Sequence, residues 1–147
     1  MHSPPDPASY NAIVYEVVRQ VPPGRVVAYG QIAAMIPPPS SVDPLQYARL
    51  GPRWVGNAMA DCPDEIPWQR VINGEGKISQ RKKSDGHLRQ RALLEGEGVR
   101  FDDDDAVDWE RFEWEGPAED WLLARELRPL SPKAARQSKQ QLSLFRD

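Results

Sequence analysis

The sequence predicts a mainly α fold in a single domain, with a helix-turn-helix-like pair, a small β element and a flexible C-terminal tail. Three observations carry this. A chain of 147 residues suits one core, since domains typically run to roughly 100–150 residues. Apolar residues recur at helical spacing in several segments, whereas β-branched runs are short. Pro and Gly punctuate the chain at Pro22-Pro23-Gly24, Pro37-Pro38-Pro39 and Gly51-Pro52, where helices are expected to stop or start.

In chain order, Met1–Pro7 reads as a Pro-rich disordered end. Ser9 is the expected N-cap of a first helix carrying Tyr10, Ile13, Val14, Val17 and Val18 on one face. Val26-Val27-Ala28-Tyr29 is a short extended run, and Gly30–Ile36 a short helix. A second short helix is expected over Arg53–Asp61, with Val55, Ala58 and Met59 as its apolar stripe. The Pro-rich connector between these two is longer than the usual 3–4-residue turn of such a pair. Ile66–Ile72 reads as a loop and short strand, and Asn73-Gly74-Glu75-Gly76 as a turn stitched by Asn73. Leu88–Glu97 is a helix closed by Gly98, and Val107–Trp114 a packed segment. Ala118–Leu127 is expected to be helical, and Ser131–Asp147 to be polar and disordered.

Composition excludes several function classes. One Cys rules out a disulfide framework, and with two His it leaves no Cys/His zinc site; no metal and no cofactor is expected. No stretch nears the roughly 20 apolar residues that cross a bilayer, and MHSPPDPASY lacks a signal peptide's apolar region, so a cytoplasmic protein with no membrane partner is expected. The net charge of −3 is unevenly spread. Residues 101–120 hold one Arg against ten acids, whereas residues 1–100 are mildly basic and 121–147 carry six Lys/Arg against two acids. Asp102–Asp105 reads as a solvated turn. Lys77, Arg81, Lys82, Lys83, Arg89 and Arg91 face Asp85 alone, a local excess that suits phosphates or a solvated loop.

Three blocks then stand in a telling order. They are Val21-Pro22-Pro23-Gly24-Arg25-Val26-Val27-Ala28-Tyr29-Gly30-Gln31-Ile32-Ala33, Arg53-Trp54-Val55-Gly56-Asn57-Ala58-Met59 and Ile66-Pro67-Trp68-Gln69-Arg70-Val71-Ile72-Asn73. Together they resemble the DNA-binding domain of the O6-alkylguanine-DNA alkyltransferases over most of the chain, with the domain set at residues 9–116 and a C-terminal extension at 117–147. The resemblance implies a winged helix-turn-helix-like, DNA-binding fold. In those enzymes the third block reads Pro-Cys-His-Arg-Val, the Cys accepting the alkyl group. Here Trp68 and Gln69 stand at the Cys and His positions, while Glu97 matches the glutamate of the Cys-His-Glu relay. Alkyl transfer needs an activated thiolate, which indole does not replace. Trp at that position is the mark of the alkyltransferase-like proteins, non-enzymatic relatives that bind such damage; most carry His after the Trp, so Gln69 departs from them too.

The resemblance implies roles residue by residue. A guanine alkylated at O6 must be flipped out of the stack to be read. Arg53 matches the arginine finger that fills the vacated stack; Arg49 is a rival alignment, and the spacing to Val55-Gly56 favours Arg53. Tyr29 matches the tyrosine that presses on the target phosphate, its alternative being a core Tyr at a strand end. Asn57 and Ala58 lie on the recognition helix, which is implied to enter the minor groove; their size equally suits helix packing. Trp68, with Pro67, Val71 and Ile72, would wall the lesion pocket, and Arg81 would reach the base from a lid-like loop or simply belong to the basic stretch. Arg70 would hold the motif loop or a phosphate. The implied partners are duplex DNA bearing O6-alkylguanine and nucleotide-excision repair proteins, bound by a monomer.

Two alternatives stay open. Cys62 is the remaining thiol, set among the acids Asp61 and Asp64 with neither His2 nor His87 adjoining it in sequence; it would have to serve an active transferase. The same helix pair would also suit a transcriptional regulator. At the tail, Gln141-Leu142-Ser143-Leu144-Phe145 resembles the short peptide by which bacterial repair proteins dock on the sliding clamp.

Overall fold

The first helix, α1 (Pro7–Arg19), starts two residues before Ser9. Asp6, not Ser9, is its N-cap: the Asp6 carboxylate accepts from Ser9 N and Ser9 Oγ, at 3.2 and 2.8 Å, and Pro7 occupies the first turn. An Asp-Pro pair satisfies an orphan donor and presets the helical φ in one step. The computed structural model describes residues 3–79 and 86–134.

After α1 come β1 (Val27–Ala28), α2 (Tyr29–Met35), α3 (Pro44–Ala60), a 3-10 turn (Trp68–Arg70), β2 (Val71–Ile72), α4 (Gly86–Gly96), α5 (Trp109–Phe112) and α6 (Glu119–Ala124). The mainly α expectation holds. The extent of the second helix of the pair does not: α3 begins at Pro44, capped by Asp43, and runs through Gly51-Pro52. Pro52 removes one backbone donor, yet the helix continues because packing holds it. Gly51 shows how close that packing is. A Cβ there would lie 3.0 Å from Ala33 Cβ and 3.2 Å from the Tyr47 ring, so α3 packs on α2 at a point with no room for a side chain. Arg53 therefore lies in the middle of α3 rather than at a helix start, and the connector of the pair shrinks to residues 36–43.

β1 and β2 pair in parallel, with Val27 opposite Val71 and Ala28 opposite Ile72. Alternation across this ribbon feeds two cores. Val27 and Val71 face the main core of α1, α2 and α3, where Val14, Val17, Val18, Ile32, Met35, Trp54 and Val55 are fully buried. Ala28 and Ile72 join Val26, Leu94, Val99, Val107, Trp109 and Phe112 in a second core. Tyr10, Tyr47 and Trp54 form an aromatic knot in the first, with the two hydroxyls 2.7 Å apart and Tyr47 donating to Ala33 O.

Residues 117–134 pack onto this body. Leu122, Leu127 and Leu130 are buried in the main core, and Arg128 N donates to Met35 O at 2.8 Å. Ser131–Ala134, expected to be disordered, is held by hydrogen bonds instead: Gln31 Nε2 donates to Ser131 O, and Glu113 accepts from Lys133 N and Ala134 N. Asp102–Asp105 is the expected turn, with Asp102 Oδ1 accepting from Asp104 N and Ala106 N. No helix among the described residues is long and apolar enough to cross a membrane.

Candidate nucleic-acid interface and lesion cavity

The outer face of α3 carries Arg49, Arg53 and Asn57, all exposed, while Trp54, Val55, Ala58 and Met59 point into the core. Helical spacing decides this partition. Arg53 and Asn57, four apart, share the outward stripe, but Ala58 is fully buried and its carbonyl accepts the Tyr15 hydroxyl at 2.7 Å. The side chain of Ala58 therefore packs in the core and does not face a ligand. Neither Arg49 nor Arg53 enters an ion pair among the described residues.

At the C-terminal end of α3, which contributes Met59 and Ala60, lies a cavity of about 260 Å³. Tyr29, the first residue of α2, lines it together with Met59, Trp68, Val71, Arg89 and Gln90. Tyr29 is thus neither a core residue nor fully free: it is half-buried at the cavity's edge. Trp68 and Val71, two of the residues expected to wall a pocket, are in this lining. Ile72 is not, because strand alternation turns it into the second core, where it is fully buried. Pro67 is half-buried and precedes the 3-10 turn, outside the cavity lining. Arg81 and Gln141 to Phe145 lie outside the described residues.

The motif loop is held by a polar frame beneath it. Glu97 accepts from Arg70 Nη2 at 2.9 Å, Arg70 Nε at 3.0 Å, Gly24 N at 3.1 Å and Gln69 Nε2 at 2.9 Å. Gly24 sits at φ +85°, a conformation open to glycine, which brings its N–H to this carboxylate. Arg70 Nη1 also donates to Val21 O at 2.8 Å. Of the two expectations for Arg70, the structure chooses the loop-holding one. Burial alone would push the Glu97 carboxyl up, but the bonds from Arg70, Gly24 and Gln69 outweigh it and hold it below the usual value.

Sequence reasoning did not place Gln90, Arg89 or His87 in the cavity. Gln90 Nε2 donates to Gln69 O and Val71 O at 3.1 and 2.9 Å, pinning the motif to α4; its signal was a Gln four residues before the buried Leu94, on one helix face. Arg89 places its guanidinium 5.6 Å from the centre of the Trp68 ring. His87 has a buried Nδ1 with no hydrogen-bond partner among the described residues. Folding also brings Cys62 to the same cavity as His87, although the two are far apart in sequence. Burial pushes the Cys62 thiol up to about 11, with Asp64 adding to the effect and Arg19 opposing it.

The comparisons with known proteins agree with this geometry. A sequence model of the family "6-O-methylguanine DNA methyltransferase, DNA binding domain" matches residues 9–99. Alkyltransferase-like protein 1 of Schizosaccharomyces pombe is 44% identical over 90 residues, 60% of this chain and 74% of that protein. A DNA base-flipping protein of Vibrio parahaemolyticus is 34% identical over 104 residues, 69% of this chain and 92% of that one. Among solved structures, S. pombe Atl1 in complex with damaged DNA containing O6-carboxymethylguanine superposes with a TM-score of 0.57 at 35% identity, over 73% of this chain and 95% of that one. The chain belongs to the 6-O-methylguanine DNA methyltransferase DNA-binding-domain family, among its alkyltransferase-like proteins.

Proposed function

We propose that the protein senses O6-alkylguanine in duplex DNA without repairing it. The carrying observation is Trp68: an indole, at the position where the resemblance puts the acceptor Cys, walls a cavity of about 260 Å³ at the C-terminal end of α3. That Atl1 was solved with damaged DNA, and that the Vibrio relative is named a base-flipping protein, supports the same reading.

Each residue then has a task. Flipping a nucleotide costs a few kcal/mol, and stacking on an aromatic ring returns roughly 1–3 kcal/mol. Trp68 supplies the ring, and Arg53 enters the vacated stack from α3, with Asn57 beside it on the groove face. Tyr29 presses the target phosphate from the cavity's edge. The Glu97 frame keeps the Trp68 loop in register, so the pocket exists before the base arrives. Bound without chemistry, the complex marks the lesion for nucleotide-excision repair proteins. The Gln141-Leu142-Ser143-Leu144-Phe145 run would tether it to the sliding clamp.

One observation favours a rival reading, an active transferase: Cys62 and His87 share the lesion cavity. A thiol held near 11 is a poor nucleophile at neutral pH, which sets this reading second. Gel-shift titration of matched duplexes with and without O6-methylguanine, run beside a labelled-methyl transfer assay, separates the two. Preference for the lesion with no label on the protein supports sensing. Equal affinity for both duplexes removes the sensing claim, and label at Cys62 makes the protein an enzyme.

A further inference from the structure

The strand of chain that follows α6 lies along α2 as a strap. Leu127 and Leu130 are buried in the core, and the hydrogen bonds from Arg128 N to Met35 O and from Gln31 Nε2 to Ser131 O fix its path. Glu113 holds its far end, taking the N–H groups of Lys133 and Ala134 as well as the Gln31 amide. Between the strap, α2 and the first half of α3 lies a second cavity of about 380 Å³. Small or proline side chains make its walls, among them Ala34, Pro44, Ala48 and Pro52.

The charged residues that line this cavity are Arg128 and Lys133, and no carboxylate lines it. Neither enters an ion pair among the described residues. Arg128 is exposed, whereas the Lys133 ammonium is 5.6 Å from the centre of the Trp109 ring, which limits its rotamers. The cavity abuts the groove-facing helix: a Cβ on Gly30 would lie 3.8 Å from Pro52 Cγ, and Pro52 adjoins Arg53. In helix-turn-helix docking the first helix of the pair crosses the phosphate backbone. Here that helix is α2, with the strap's two cations beside it.

We propose that Arg128 and Lys133 grip the phosphate backbone of the duplex, making the strap a second DNA-contact surface outside residues 9–99 matched by the family model. The inference rests on the reading of this protein as a binder of duplex DNA. Continuity with the Arg53 and Asn57 face favours a duplex over an acidic peptide as the occupant. A duplex offers one negative charge per about 1.7 Å of axis, so two cations carried on a strap whose backbone is held against α2 meet phosphates in any sequence.

The test is the salt dependence of binding by the full chain. For Arg128→Gln/Lys133→Gln, the slope of log K against log salt should become shallower by up to about 1.8, or about 0.9 per phosphate contact. Affinity for plain and O6-methylguanine duplexes should fall by the same factor, about tenfold near physiological salt, so the lesion-to-plain ratio stays put. Arg128→Lys/Lys133→Arg should keep the wild-type slope. An unchanged slope in the Gln variant overturns the proposal and leaves an acidic peptide as the occupant to test. An equal loss in the charge-preserving variant overturns it in favour of a structural role. If the wild type binds both duplexes equally, the lesion-sensing reading fails while the slope comparison still decides the strap.

Discussion

Gln69 Nε2 donates to Glu97 Oε2 over 2.9 Å, a bond between the two residues that the resemblance aligns with the histidine and the glutamate of the transferases' relay. A carboxamide donates this bond without carrying a titratable proton. Arg70 and Gly24 complete the same carboxylate, so the cluster acts as a scaffold for the loop, and neither Trp68 nor Gln69 carries an acid-base side chain.

The frame should matter for folding and show it in acid. The Arg70–Glu97 pair is mostly buried, with side chains 14% and 15% exposed. Glu97→Gln leaves the guanidinium without its counter-charge, an expected loss of about 3 kcal/mol at pH 7. The folded carboxyl is held below its unfolded value, so its stabilisation is present above about pH 4.5 and fades as pH falls through the folded value. Urea melts at pH 7 and pH 3 should therefore show the wild type and Glu97→Gln converging in acid. A gap that stays constant would mean that the charge of Glu97 contributes nothing.

Trp68→Ala should remove lesion preference while leaving plain-duplex affinity close to wild type. The stacking it supplies is worth roughly 1–3 kcal/mol, so the ratio of affinities for methylated and plain duplex should drop by about tenfold. Trp68→Phe should retain part of it. A ratio unaffected by Trp68→Ala would show that the indole is a packing residue only.

Arg53→Ala and Tyr29→Ala should each weaken binding to O6-methylguanine duplex, by about tenfold for Arg53 and several-fold for Tyr29, in line with the few kcal/mol that base flipping costs. Ala58→Ser tests the corrected assignment from the other side. Ala58 is fully buried in the main core, so the added hydroxyl should lower the melting temperature without changing DNA affinity in the folded protein. Fluorescence anisotropy and thermal melts on the same three variants separate these outcomes.

Cys62 should be sluggish. With its thiol pushed up to about 11 by burial, alkylation by iodoacetamide at pH 7.5 should run about 100-fold slower than for a free thiol of pKa near 8.5. The rate should climb about tenfold per pH unit until the thiol titrates. Rapid labelling at pH 7.5 would revive Cys62 as a nucleophile.

How much of this was legible can be judged on particular residues. The blocks around Tyr29, Arg53 and Trp68 could be recognised because a motif is a local string, and their order and spacing survive without a structure. Helix starts were read less well, since Asp6 and Asp43 cap through side chains while Gly51-Pro52 mimics a breaker. Only the contact of α2 with α3 overrules that Pro, and no local string encodes it. Gln90, Arg89 and His87 could not be assigned to the cavity from sequence because they reach it from a helix later in the chain, across a loop.

By itself the sequence determined the fold class and the family, because these depend on residue identity and spacing. Tertiary structure decided which side chains share a space. It buried Ala58 and Ile72 by helix and strand alternation, brought Cys62 and His87 to one cavity, and laid Arg128 and Lys133 along α2. Such neighbours are set by long-range packing of apolar faces, a property of the whole core and not of any one segment.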